Sequence, residues 1–358
     1  MSHLSRFKAE MINKGADAAI ISNKIHQRYL SHFDFDDGLV LVTRGESYLI
    51  TDFRYTEAAK AQSDKGLEVV APAEGMLNFI AGKLHALGIH SVGFEEATLA
   101  YAGLERMKKV LDGVELVSGA SALLDGLREF KDEDELKYTA QAQDIADAAF
   151  RHILKFIKPE MTELEVALEL EFFMRRQGAE GIAFETIAVS GSASSMPHGV
   201  PRPVKLEKGF LTMDYGAKVN GYCSDMTRTV VLGKADADMK KLYDTVLKAQ
   251  LAALDVIEEG ADCRGVDKVA RDIIYGAGYE GCFGHGLGHG VGMYIHEAPR
   301  LSQGAKEGAK LISGQIVTVE PGIYLEGKYG CRIEDMVCVQ PGGKHNFTHS
   351  PKEMIELF

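Results

Sequence analysis

Three histidines, His285, His289 and His296, lie in residues 281–300, where Gly284, Gly286, Gly288, Gly290 and Gly292 take every second position. Glycine loses the most chain entropy on ordering and has no side chain to pack. The expected use of such a run is close approach of the backbone to something small. No glycine triplet here fits the G-x-G-x-x-G dinucleotide fingerprint. A histidine flanked by small residues reads instead as a metal ligand with an open face. Four acids elsewhere occupy settings that resemble one another. Asp214 and Glu320 each end a short apolar run, and Asp225 and Glu334 each begin one. Two acid-bearing hairpins and one histidine make an oxygen-rich donor set suited to hard divalent ions such as Mn²⁺, with Co²⁺, Zn²⁺ or Fe²⁺ as alternatives. Four carboxylate charges are too many for one ion in a dry pocket, whereas two dications balance them and activate a water between them.

The set Asp214, Asp225, His289, Glu320 and Glu334, in this order and with these flanks, resembles the pita-bread metallopeptidase family. That family includes methionine aminopeptidase, aminopeptidase P, prolidase and creatinase. The phrases His-Gly-Leu-Gly-His-Gly-Val-Gly (285–292), Thr-Val-Glu-Pro-Gly (318–322) and Arg-Ile-Glu-Asp (332–335) are closest to its Xaa-Pro branch. The resemblance implies that Asp225 and Glu334 bridge two ions, that Asp214 completes one site, and that His289 with Glu320 completes the other. A water or hydroxide shared by the ions is then the nucleophile, and Glu320 handles its proton. His198, in Met-Pro-His-Gly, is expected to hydrogen-bond the substrate or its tetrahedral intermediate. His296 is expected to hold the developing oxyanion. His285 shapes the pocket or touches substrate. Arg332 orients the carboxylate ligands, and Arg300 is a candidate for meeting a substrate carboxylate or for a surface salt bridge. Tyr222 and Tyr324 read as packing residues. One departure concerns the phrase Ser190-Gly-Ser-Ala-Ser-Ser-Met-Pro-His198, where Ala193 replaces the family's asparagine. Loop rigidity and fine specificity depend on that position; metal binding does not.

The elements that must position these residues form two domains. Residues 1–128 read as an α/β N-terminal domain of the creatinase/prolidase kind, with strands near 17–22, 39–43, 47–51, 69–70, 91–94 and 114–117 and helices between them. His26, His32, Asp34, Asp36 and Asp37 read there as a polar loop. Residues 129–358 read as the α+β pita-bread catalytic domain. Asp132 with Glu135, and Thr162 with Glu165, have capping-box spacing and predict helices to about 157 and 178. Leu154, Ile157, Val166 and Gly178 recur as Leu254, Ile257, Val266 and Gly278, which predicts a duplicated half and an internal pseudo-two-fold. Such a fold offers a site where its halves meet.

Composition bounds the partners. The chain has 358 residues, 46% hydrophobic and 26% charged, with a net charge of −12. Nucleic acid and anionic membranes both want a basic surface, so neither is expected. No apolar run suits a secretory signal or a span of ~20 residues. The cysteines, Cys223, Cys263, Cys282, Cys331 and Cys338, are odd in number and form no C-x-x-C pair. The set suits a reduced cytoplasm, and Cys223, Cys282 and Cys331, near the candidate site residues, read as packing residues.

The reading is therefore a cytoplasmic, dinuclear metallopeptidase acting on small peptides with proline second. It is aminopeptidase P-like with dipeptide overlap, and a homodimer by resemblance. The alternatives are a prolidase restricted to dipeptides and, from another class, a metal-free pita-bread binding module.

Overall fold

A computed structural model of the chain describes residues 2–358. The chain divides into two compact units between Arg128 and Glu129.

The first unit is built on a six-stranded mixed sheet. Its spatial order is Glu68–Val70, Ser47–Thr51, Gly38–Thr43, Ala18–Ile21, Ser91–Phe94, Glu115–Val117. The three central strands pair antiparallel and the outer pairings are parallel. Ala18–Ile21 is buried at every position, so both of its faces are covered, which explains its unbroken apolar run. Two helices escape the sequence reading, Lys24–Ser31 and Ala120–Arg128. The polar-loop reading of His26 is thereby corrected. His26 lies on the first of these helices and is buried. Its ring bonds the fully buried Glu95, which also accepts from the N–H of Asn23 at 2.7 Å. The available signal was Asn23, whose side chain caps the helix through the N–H groups of Ile25 and His26.

The second unit repeats one motif twice. Helices Glu133–Phe156 and Glu163–Arg176 precede the antiparallel strands Ile187–Ser190, Gly209–Tyr215 and Met226–Leu232. Helices Ala237–Asp255 and Cys263–Gly276 precede Gly288–Gly290, Ile316–Val319 and Asp335–Gln340, again antiparallel. The repeat extends to local hydrogen bonding. Thr162 caps its helix and bridges Lys205; Asp262 caps its helix and bridges Lys310. The N–H of Glu163 donates to Val204 O at 3.1 Å, and that of Cys263 to Ala309 O at 2.9 Å. Gly178 and Gly278 follow the two helices at φ of 103° and 92°, a left-handed turn that glycine adopts without strain. Both sequence-predicted capping boxes, at Asp132/Glu135 and Thr162/Glu165, are formed. In the second copy Gly265 stands where Glu165 stands in the first, so Asp262 caps without a reciprocal partner. Each half buries its own core, one including Ala146, Phe150 and Met213, the other including Val246, Ala270 and Val317. No helix among the described residues is long and apolar enough to cross a membrane.

Candidate metal centre

Register brings the acids together in pairs. Strand Gly209–Tyr215 pairs Asp214 with Thr227 and Tyr215 with Met226, so Asp214 and Asp225 reach the same end of the sheet. Strand Ile316–Val319 pairs Val319 with Asp335, which sets Glu320 and Glu334 at one end of the other sheet. Strand Gly288–Gly290 lies beside Ile316–Val319, and places Arg300 opposite His289. The alternating glycines serve this packing. A Cβ on Gly288 would sit 2.0 Å from Thr318 O, and one on Gly290 2.0 Å from Ala298 O. The run thus lets neighbouring strands approach closely, and Gly286 and Gly288 also line the cavity. The ligand-facing atom is the imidazole between these glycines.

Ligand atoms of Asp225, His289 and Glu334 all lie within 4.8 Å of one another. His289 Nε2 is 3.5 Å from Asp225 Oδ2 and 3.4 Å from Glu320 Oε1. His289 Nδ1 donates to Gly290 O at 3.0 Å, which leaves the Nε2 lone pair facing those oxygens. Burial pushes the imidazole down to about 3, with the positive potential of His296, Arg300 and His285 adding. It is therefore a neutral donor at neutral pH, free to meet a cation. Burial lifts Asp225 and Glu334 far above the carboxylate range, and the neighbouring acids lift them further. Glu320 is pushed up to about 8, first by burial and then by Asp214.

A divalent ion fits this donor set on two counts. An imidazole lone pair and several buried carboxylates facing one another repel unless a cation lies among them. Asp214 Oδ1 is buried and has no hydrogen-bond partner, while Oδ2 accepts from Arg332 Nη2 at 2.6 Å. Such an orphaned buried oxygen is costly without a ligand to meet.

Around the acids is a set of orienting groups. Arg332 is buried, and its guanidinium donates to Asp214, to Thr227 Oγ1 at 2.9 Å, to Tyr324 Oη at 2.8 Å and to Pro197 O at 3.2 Å. Thr227 Oγ1 donates to Glu334 Oε2 at 2.6 Å. Thr318 Oγ1 donates to Glu320 Oε1 at 3.2 Å and accepts from the N–H of His289 at 3.1 Å. Neither threonine was found by sequence reasoning; both sit at inward positions of strands already assigned, and that alternation was the available signal. The packing reading of Tyr324 is also corrected. Its hydroxyl bonds His285 Nε2 at 2.9 Å. His285 Nδ1 donates to Gly286 O at 2.8 Å, so Nε2 is the acceptor, and burial with Arg332 nearby brings the ring down to about 4. Tyr222 bonds Glu135 at 2.9 Å, away from the acids.

One cavity of about 670 Å³ is lined by all ten sequence-predicted residues: His198, Asp214, Asp225, His285, His289, His296, Arg300, Glu320, Arg332 and Glu334. His296 stacks edge-on against His289, centroids 4.4 Å apart. His198 and Arg300 are exposed at the cavity wall, and among the described residues Arg300 pairs with no carboxylate. Phe184, Ile187, Val200, Pro201 and Ile295 supply the apolar part of the lining.

Residues 137–341 match metallopeptidase family M24, and residues 3–130 match the Creatinase/Prolidase N-terminal domain. A Xaa-Pro dipeptidase from Bacillus anthracis superposes with a TM-score of 0.94 at 42% identity, covering 99% of each chain. An X-Pro aminopeptidase from Thermotoga maritima superposes with a TM-score of 0.92 at 34% identity, covering 98% of this chain and 100% of that one. A Xaa-Pro dipeptidase of Pyrococcus horikoshii is 34% identical over 97% of both chains.

Proposed function

The chain belongs to metallopeptidase family M24, a metal-dependent exopeptidase with a Creatinase/Prolidase N-terminal domain, and from that we propose that it is a dinuclear Xaa-Pro peptidase. The observation that carries the reading is the donor set itself. Four acids, three with raised pKa values, and one neutral imidazole face a single cavity, with an oxygen of Asp214 left unpartnered. Two divalent cations, with Mn²⁺ the first choice, would be held by Asp214, Asp225, His289, Glu320 and Glu334 and would supply Lewis-acid polarisation of the scissile carbonyl and activation of water.

The remaining chemistry falls to side chains. Glu320 takes the proton of the attacking water at a carboxylate oxygen and delivers it to the leaving nitrogen. His296 and His198 line the cavity where the carbonyl oxygen becomes an oxyanion, and donate hydrogen bonds to it. Arg332 keeps Asp214 in place, and through Thr227 the orientation of Glu334. The nitrogen of the scissile Xaa-Pro bond is proline's own and bears no hydrogen, so a site that does not depend on that donor is required. Phe184, Ile187 and Ile295 offer an apolar wall for the pyrrolidine ring.

Dipeptides are the preferred substrates in this proposal, which puts the prolidase alternative ahead of the aminopeptidase P-like expectation. Arg300 faces the cavity without a carboxylate of its own, and a Xaa-Pro dipeptide brings one. The size of the cavity, about 670 Å³, favours the second reading, aminopeptidase action on longer peptides. The test is a comparison of kcat/KM on Ala-Pro and Ala-Pro-Yaa with added Mn²⁺, Co²⁺ or Zn²⁺. Hydrolysis of neither, together with no bound ion, would leave a binding module. A homodimer and a reducing cytoplasm complete the proposal. Light scattering tests the first, and cell fractionation tests the second.

A further inference from the structure

Each half of the second unit carries a buried carboxylate on its capped helix, joined to an arginine, with backbone groups of the cavity wall held between them. In the first half the carboxylate is Glu163, fully buried. Its Oε1 accepts from the N–H and Oγ of Ser190 at 2.8 and 2.9 Å. Its Oε2 accepts from the N–H and Nε of Arg202 at 3.1 and 2.8 Å. One carboxylate thus closes both ends of residues 190–202, the loop that presents His198.

In the second half the carboxylate is Asp267, also fully buried. It accepts from the N–H of Leu287 at 3.0 Å and from Arg271 Nε and Nη2, each at 2.9 Å. Arg271 passes the restraint on, donating to Phe283 O at 2.8 Å and His285 O at 2.9 Å, with its guanidinium 4.3 Å from the centre of the Phe283 ring. Phe283, His285 and Leu287 are alternate residues just ahead of strand Gly288–Gly290. Outside a strand their backbone groups need other partners, and a side-chain clamp provides them.

We propose that the two clamps are positioning devices with separate clients. Asp267–Arg271 sets the 283–289 segment and therefore the aim of His289 at the ions. Glu163–Arg202 sets the His198 loop and therefore turnover, leaving ion affinity alone. The assignment rests on the functional reading above for what each client does, but not for which backbone each clamp holds.

The experiment compares Asp267→Asn and Arg271→Lys with Glu163→Gln in the full chain. Arg271→Lys keeps the charge and loses the planar fork that reaches two carbonyls. Three readouts are taken: Mn²⁺ affinity by calorimetry on chelator-stripped protein, kcat and KM on Ala-Pro at saturating Mn²⁺, and amide hydrogen exchange without ions. The first two variants are expected to weaken Mn²⁺ affinity ~10–100-fold, with kcat largely recovered at saturating ion. Glu163→Gln is expected to keep Mn²⁺ affinity within about twofold and to lower kcat about tenfold at any ion concentration, less than the ~10²–10³-fold of an oxyanion donor removed outright, because His198 is misplaced and not lost. Exchange should quicken in 283–290 for the first pair and in 190–202 for the last. Equal loss of ion affinity in all three variants, or quickened exchange spread over both segments, would overturn the separation of clients. If wild-type protein binds no Mn²⁺ and leaves Ala-Pro intact, the functional reading fails, and the exchange pattern still decides whether the clamps act separately.

Discussion

At the scale of single residues, the centre is a cluster of groups that destabilise one another without cations. Raised carboxylate pKa values have a definite thermodynamic sign. A carboxylate whose folded pKa exceeds its unfolded one contributes stability below the unfolded value, and loses it as pH rises through the folded one. Glu320, pushed up to about 8, and Asp225 and Glu334, raised well above the usual range, all act in this direction. His289, down at about 3, acts oppositely, costing stability as pH falls below its ordinary value of ~6.5. The acids outnumber it. Chelator-stripped protein should therefore melt at lower temperature at pH 8.5 than at pH 6.5, and Mn²⁺ should remove most of that dependence. Calorimetry across this range checks it; a flat profile would contradict the electrostatics. Thr227→Val is nearly isosteric and removes the hydroxyl that donates to Glu334 and accepts from Arg332. It should lower Mn²⁺ affinity ~10–100-fold, as a calorimetric titration would register.

At the scale of elements, the glycine run is a packing device for a sheet too tight for side chains. Gly288→Ala forces a methyl to 2.0 Å from Thr318 O, a backbone atom that cannot swing aside. The strand must shift, and His289 with it. Expected costs are ~1–3 kcal/mol of stability, the range for overpacking, along with loss of most ion affinity. Thermal unfolding with and without Mn²⁺ would separate the two. Glu163 offers a second test at this scale. Burial alone would raise its pKa, but Arg202 and Ser190 hold it below the ordinary value. Its contribution is present above the unfolded pKa, ~4.3, and is lost as pH falls through the lower folded value. Glu163→Gln should consequently be destabilised by about 1–2 kcal/mol at pH 7, less than for a fully buried pair because Arg202 is partly exposed to solvent, and the gap from wild type should narrow below pH 4. Urea titrations at the two pH values would measure it.

At the scale of the whole molecule, each half of the second unit supplies one pair of acids, and the histidine joins from the second half. A site shared in this way couples ion binding to the packing of both halves. Ions that bind only the folded chain stabilise it by RT ln(1 + [L]/Kd), about 2.7 kcal/mol at one hundred times Kd for a single site. Chelation should thus lower the melting temperature by several degrees in one cooperative step, and Mn²⁺ should restore it. A transition that splits into two on chelation would indicate that the halves hold together without the ions.

Much of this was legible before any coordinates. The five proposed ligands stand in distinctive phrases, because ion ligation tolerates few residue types and a strand end dictates its neighbours. The two capping boxes and the recurring glycines reveal helix bounds and duplication, since cap geometry is local. What tertiary structure alone decided is which groups touch across long sequence separations. Thr227 reaches Glu334, Arg332 reaches Pro197, and Tyr324 reaches His285. None of these pairings leaves a local signature, because a hydrogen bond between distant strands depends on register and not on spacing along the chain. The glycine run shows the same division. Its composition signalled close approach, and only the packed sheet could say that the approaching surface was another strand.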